Sequence, residues 1–351
     1  MSGMGEDRTV AAVLCFGNLQ LDVLCRTVME LPAPGGLRRL DGIDVALSGN
    51  AANVAAALGR LGVAVELAGY SGADIVGDQL RATLAAQGVG TATLSRHPCA
   101  STGTSVIALA PDGERSVLYV NGANALFDLD AVPDGWLRGR RVVSVGTVFV
   151  LPQFTGPAVA RLFARARAHG AATILNVCWD DEGRGLSFIA PALAETDHFV
   201  LSLDEGHQLT GLGDPSEILR ALEAFTRGEV VLTVGADGCL VRGEDGTDDF
   251  EHIQAAPVEA TDCTGAGDSF VAGFIAGLIA RRPRVECARL GCHVAAYAVT
   301  GPGAYSRVPR LEEIDRAVCT GRAGALSRTG AGEAVKRAPA RPVGTTTGVN
   351  D

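Results

Sequence analysis

Apolar residues arrive along this chain in short runs, separated by longer stretches with helical spacing. Val10 to Phe16, Val63 to Ala68, Val142 to Val145, Ala172 to Leu175, Phe199 to Leu201 and Glu229 to Val234 are brief, β-branched and nearly continuous in apolar character, which predicts strands. Between them, Ala51 to Leu61, Gly77 to Ala86, Gly156 to His169 and Pro215 to Phe225 predict helices. Strands without polar alternation must be buried on both faces. The rhythm therefore predicts an α/β fold of three layers, a mainly parallel sheet between two layers of helices.

Two segments break the rhythm: Pro32 to Leu47, and Thr102 to Val120, where Thr104 to Ala110 and Arg115 to Val120 flank the turn Pro111-Asp112-Gly113-Glu114. Together, at about 32–48 and 102–122, they predict a small β-sheet projecting from the main body as a lid. Further on the pattern turns helical, with Ala266 to Arg281, Glu286 to Val299 and Leu311 to Cys319. The first of these carries an apolar stripe, Phe270, Phe274 and Leu278, with Gly273 and Gly277 as small spacers, which predicts close helix contact. Residues 1–9 and 321–351 lack periodicity and predict disordered tails, leaving 10–320 as one folded unit.

Composition narrows the function. Formal net charge is -10, and Lys336 is the only lysine, so no basic patch is available for a nucleic-acid backbone. Nine scattered cysteines without a Cys-x-x-Cys pair fit free thiols in a reducing compartment, and Cys287 and Cys292 read as helix-packing residues. Glu6 and Asp7 stand where a signal peptide needs positive charge, and no run of about 18 apolar residues occurs, which points to a cytoplasmic protein without a membrane partner. The lysine count removes the P-loop. Gly-x-Gly-x-x-Gly, Gly-x-Ser-x-Gly and His-Glu-x-x-His are also missing. His207 and His293, inside predicted helices, read as structural or surface residues.

The most informative string is Asp262-Cys263-Thr264-Gly265-Ala266-Gly267-Asp268-Ser269-Phe270. Gly265, Ala266 and Gly267 bring backbone N–H groups to a helix start with little side chain in the way, which suits an anion. Asp268 follows where an attacking hydroxyl would need a base; the helix N-terminus is expected to keep its carboxylate ionised and weakly basic.

With the element order and this string in hand, the chain resembles the ribokinase-like (PfkB) family of sugar and nucleoside kinases over roughly Val10 to Cys319. Asp262 to Asp268 is similar to the family's late motif, and Ser48-Gly49-Asn50-Ala51-Ala52-Asn53 to its early one. Gly17-Asn18-Leu19-Gln20-Leu21-Asp22 resembles the first-strand segment that faces the sugar, and Asn121-Gly122-Ala123-Asn124 the segment leaving the lid. The resemblance implies a ribokinase-like αβα sandwich with a β lid and an ATP-dependent transfer of phosphate to a primary hydroxyl of a small sugar or sugar acid.

It also implies roles: Asp268 as general base, the Gly265-Ala266-Gly267 backbone as anion hole, and Asn18, Asp22, Gly49, Asn53 and Asn124 at the sugar. ATP would meet Ser202, Thr233, Gly235, Gly238 and Thr264. Glu205 matches the family's magnesium-holding Glu, acting through water, with Ser202 where the family has Asn; the same Asp204-Glu205 pair also suits the first turn of a helix. Asp262 matches a monovalent-cation ligand, but the hydroxyl that completes that site falls on Arg307, or on Ser306 if the register shifts by one. A fixed guanidinium there would replace the cation's charge, so potassium activation is not expected. Asn176-Val177-Cys178-Trp179-Asp180 departs from relatives that begin with Asp after the strand. A homodimer through the lid is expected, since open strand edges can pair. The alternatives are a nucleoside kinase, for which Tyr119 is the only aromatic in the second lid segment, and a catalytically silent sugar-binding or regulatory protein.

Overall fold

The structure is a computed structural model, and it describes residues 10–110, 115–244 and 249–319. The expected tails, 1–9 and 321–351, and the turn Pro111 to Glu114 lie outside the described residues.

The chain opens with β1 (Val13–Phe16), leaves the main body for β2 (Gln20–Arg26) and β3 (Gly42–Ser48), and returns through α1 (Asn50–Leu61) to β4 (Val65–Gly72). After α2 (Ile75–Ala86), β5 (Val89–Gly90) and β6 (Leu94–His97) comes a second excursion, β7 (Gly103–Leu109) and β8 (Arg115–Val120). Past α3 (Asp134–Leu137) the alternation is regular: β9 (Val142–Val145), α4 (Gly156–Ala168), β10 (Ala172–Asn176), α5 (Leu186–Leu193), β11 (His198–Ser202), α6 (Leu203–Thr210), α7 (Pro215–Glu223) and β12 (Glu229–Thr233). A hairpin, β13 (Cys239–Arg242) and β14 (Phe250–Ile253), precedes α8 (Ala266–Ile279), α9 (Arg284–Ala298) and α10 (Leu311–Cys319).

The main sheet runs in the order β14-β13-β12-β11-β10-β9-β1-β4-β5, with β6 also on β4. All pairs from β12 to β5 are parallel, and only β13 and β14 are antiparallel. Side chains alternate faces along a strand, so β1 feeds two cores. Val13 and Cys15 pack with α1, α8 and α9, whereas Leu14 and Phe16 pack with α4, α5 and α7. The three predicted layers follow directly. Gly273 and Gly277 act as spacers: a Cβ on either would come within 2.8 Å of α9, at Gly291 Cα and Cys287 Cα.

The lid is a separate four-stranded sheet, β3-β2-β7-β8. Its centre, β2 and β7, is parallel, and its edges are antiparallel. The expectation drew the lid from two segments. A third, β2, runs through its middle. The edge strands expose Ile43, Val45, Leu118 and Val120. α5 had no sequence signal because Pro191 lies inside it. No helix among the described residues is long and apolar enough to cross a membrane.

Candidate active site

The parallel strands end along one edge of the sheet, and the residues there converge. Asn18 and Thr147 lie two positions past β1 and β9, while Asn176, Ser202 and Thr233 end β10, β11 and β12; all five line a chamber of about 630 Å³. This carboxyl edge is where open α/β sheets hold ligands. The first turns of α1 and α8 form one wall, and Val117 and Tyr119 of the lid form another.

Asp268 sits in the first turn of α8 and lines this chamber. Two amides from the first turn of α1 hold it: Asn50 Nδ2 donates to Oδ1 at 2.7 Å and Asn53 Nδ2 to Oδ2 at 2.8 Å. One helical turn separates Asn50 from Asn53, so both side chains reach the same partner. A deprotonated carboxylate only accepts, which fixes the amide nitrogens toward it and leaves both Asn Oδ1 atoms buried without a partner. Burial outweighs the helix end here. Desolvation pushes the Asp268 carboxyl up to about 7, the Asn53 hydrogen bond opposes this, and the Glu205 carboxylate adds to it. This corrects the expectation of an ordinary, weakly basic carboxylate.

Gly49 precedes α1 with φ 105°, and a Cβ there would lie 2.5 Å from the Asn18 carbonyl oxygen, so the turn that starts this helix needs glycine. Asn18 is buried, accepting from Thr147 Oγ1 at 3.0 Å and donating to Gln20 Oε1 at 2.8 Å. Gln20 in turn donates to Asp22 Oδ1 and Ser105 Oγ, each at 2.9 Å. Asp22 is buried behind Gln20 and is not among the chamber's lining residues, which include Gln20 instead. Asn124 is not brought into the chamber either. Its amide accepts from Leu19 N–H and donates to the Leu19 and Asn121 carbonyls, pinning the lid's exit to the body.

The Gly-Ala-Gly segment is braced from behind. Gly265 is left-handed (φ 70°) and a Cβ on it would meet Ala304 Cβ at 2.1 Å. Ser269 Oγ donates to the Ala304 carbonyl, and Asp262 accepts from Thr264 N–H at 2.9 Å and Gly303 N–H at 3.0 Å. Ala266 N–H is taken up by the Cys263 carbonyl at 3.2 Å, so the donors open to a ligand are those of Gly265 and Gly267. Around Gly267 a Cβ would meet no atom within 4 Å: the space in front of it is open. Thr264 also lines the chamber.

Glu205 lines the chamber opposite, and its side chain also belongs to a capping box. Its Oε2 accepts from Ser202 N–H at 2.8 Å while Ser202 Oγ accepts from Glu205 N–H at 3.3 Å, which is the helix-start arrangement expected of this pair. Desolvation raises its carboxyl above the usual range. Cys178, also in the lining, is pushed up to about 12 by burial and by Glu205, so it stays a thiol and is no nucleophile. Among the described residues no three His, Cys, Asp or Glu side chains converge as a metal cage. A single carboxylate suits magnesium held mainly by water and phosphate.

On the far side of the Gly-Ala-Gly segment lies an apolar slot of about 470 Å³, walled by Pro257, Val258, Phe270, Cys292, Ala296 and Val299. It shares Thr233, Cys263, Ala266 and Gly267 with the polar chamber, and Gly235 and Gly238, at the turn after β12, also line it. Two compartments thus meet at the glycine segment, one carrying amides, hydroxyls and two carboxylates and the other almost wholly apolar. Ser306 Oγ donates to the Pro302 carbonyl at 2.6 Å, and a Cβ on Gly301 would come 2.4 Å from Arg307 Cγ, so the exposed Arg307 runs along Gly301 and away from the chamber.

Sequence reasoning did not assign Asn50, Gln20, Thr147 or Asn176 to the site, nor the walls of the slot. Asn50 and Gln20 had a signal, their spacing of three from Asn53 and two from Asp22. Thr147 had none: its left-handed backbone (φ 66°), unusual for a β-branched residue, is visible only in three dimensions.

Residues 11–311 match the model of the pfkB family of carbohydrate kinases. Ribokinase of Haemophilus influenzae is 27% identical over 293 residues, covering 80% of this chain and 90% of that protein. A nucleoside kinase of Methanothermobacter thermautotrophicus is 26% identical over 313 residues, covering 88% and 95%. The solved structure of Arabidopsis thaliana ribokinase complexed with ribose and ATP superposes with a TM-score of 0.75 at 20% identity, over 88% of this chain and 98% of that one, a likeness of fold. The sheet order, the detached lid and a match running through all the strands that build the chamber agree, and the chain belongs to the pfkB family of carbohydrate kinases.

Proposed function

We propose that this protein transfers the γ-phosphoryl group of ATP to a hydroxyl, a primary one, of a small sugar or sugar acid in the polar chamber. The observation that carries this reading is Asp268, held through both oxygens by Asn50 and Asn53 at the junction of the chamber and the glycine segment. A hydroxyl lying against Asp268 passes its proton to the carboxylate as its oxygen attacks phosphorus. Gly265 and Gly267 N–H groups stabilise the charge that builds on the transferred group. The apolar slot suits a nucleobase, with Thr233 and the Gly235 to Gly238 turn beside it. Magnesium near Glu205 supplies charge neutralisation on the phosphates when bound. The test is coupled ADP release across ribose, fructose, ketodeoxygluconate, inositol and nucleosides, with Asp268→Asn as the blank. ADP release that ignores the acceptor would sink the reading.

A second acceptor class has an observation of its own. Tyr119 lines the chamber beside Val117 and its hydroxyl donates to Asn121 Oδ1 at 2.7 Å, so its ring offers a stacking surface for a nucleobase. Preference for adenosine over ribose in the same panel would select the nucleoside kinase.

Potassium is not expected to activate this enzyme. Asp262 already accepts two backbone N–H groups, and in the sequence match Arg307 falls on the position of the hydroxyl that would complete the cation site. Replacing potassium with tetramethylammonium should leave kcat within about twofold; a large loss would return the cation to the site. The exposed apolar edges of the lid, Ile43 and Val45 on β3 and Leu118 and Val120 on β8, support a homodimer formed through that sheet. Light scattering at micromolar concentration should give twice the chain mass, and a monomer would remove the dimer.

A further inference from the structure

We infer that the acceptor is uncharged: a free sugar, a polyol or a nucleoside, and not a sugar acid or sugar phosphate. The inference rests on the kinase reading above and narrows it. Among the described side chains that line the chamber there is no arginine, lysine or histidine. The charged groups there are Asp268 and Glu205, and Asp22 stands directly behind Gln20. The remaining polar lining is neutral, made of amides and hydroxyls such as Asn18, Gln20, Asn50, Asn53 and Ser105. Amides and hydroxyls both donate and accept, which matches a polyol's hydroxyls and gives a carboxylate no counter-ion.

Helix N-termini could offer positive potential in place of a side chain, and two face this chamber. Each has the same carboxylate beside it. Asp268 lies in the first turn of α8 and is hydrogen-bonded to Asn50, the first residue of α1. An acceptor whose hydroxyl reaches Asp268 brings any carboxylate of its own to within one sugar length of that charge. Two like charges about 6 Å apart in a medium of effective dielectric about 20 cost about 100-fold in an equilibrium constant. ADP leaves from the glycine segment, where phosphate charge is met by N–H groups and magnesium. The acceptor end has no comparable provision.

The experiment uses the full chain with ATP and magnesium at pH 8 and low salt, measuring ADP release. The neutral acceptors are ribose, fructose, inositol and adenosine; the acids are ketodeoxygluconate and gluconate. The best neutral acceptor should exceed the best acid at least about 100-fold in kcat/KM. Val117→Arg, which places a guanidinium at an exposed position of the chamber wall, should narrow that ratio at least tenfold. An acid used within about tenfold of the best neutral acceptor would overturn the inference while leaving the kinase reading intact. No ADP release above the Asp268→Asn blank with any of these acceptors would instead overturn the kinase reading and this inference with it.

Discussion

Asp268→Asn will remove phosphoryl transfer and, at pH 8, make the protein more stable. General-base catalysis contributes about 10²–10⁴-fold, so kcat should fall by about 10³-fold with the KM for the acceptor much less affected. The stability gain has a separate origin. Desolvation holds the Asp268 carboxyl at about 7 in the folded chain, above the ordinary value of 3.8, so folding favours its protonated form. The stability associated with that proton is fully present below about pH 4 and is lost as pH rises through about 7. Above pH 7 the native chain carries a partly desolvated charge that the asparagine variant lacks. The variant's Tm should exceed the parent's by about 3 °C or more at pH 8, with the difference shrinking toward pH 5. Its extra amide finds an acceptor when Asn50 or Asn53 turns over, since the Oδ1 of each has no partner at present. In the parent, the same ionisation should make kcat/KM rise about tenfold per pH unit below 7 and level off above it. A variant with kcat within tenfold of the parent would rule Asp268 out as the base, and a profile flat from pH 5.5 to 8 would show that its carboxyl is not raised.

Valine at Gly267 and at Gly265 should fail for different reasons. Gly267 faces open space, so a side chain there displaces ligand and touches no protein. Gly267→Val should therefore lower kcat by about 10²–10³-fold, because its side chain keeps the phosphoryl group off the N–H donors, while changing stability by less than about 1 kcal/mol. At Gly265 the added Cβ would lie 2.1 Å from Ala304 Cβ on a left-handed backbone, which costs a non-glycine residue about 1–2 kcal/mol before any clash. Gly265→Val should lower Tm markedly and reduce the yield of folded protein. Thermal melts beside kinetics separate the two. A stable, active Gly265→Val would show that the loop at Ala304 does not brace the glycine segment. From sequence alone these glycines were equivalent, because nothing in the string tells which one has a neighbour behind it.

The βαβ rhythm was legible because burial on both faces leaves a continuous apolar run that few other arrangements produce. Gly265 to Asp268 was legible because a helix start with no side chains in front of it is a local property. Asp22 misled for the opposite reason. Its type suits a sugar hydroxyl, but Gln20 shares its face of β2 and stands between it and the chamber. Asn124 likewise has the right chemistry, spent on the backbone of Leu19 and Asn121. Asn50 lay inside a recognised string and went unassigned because its partner is 218 positions away.

By itself the sequence determined the layers, the existence of a lid and the residue types at the glycine segment, since periodicity and local backbone freedom are written in consecutive residues. The tertiary structure decided which of these meet. It brought α1 to α8 so that two amides grip one carboxylate, and it buried that carboxylate enough to raise its pKa to about 7. It also set a polar chamber free of basic side chains, among those described, against an apolar slot. Desolvation and charge complementarity depend on distances between segments far apart in the chain, and no local pattern encodes them.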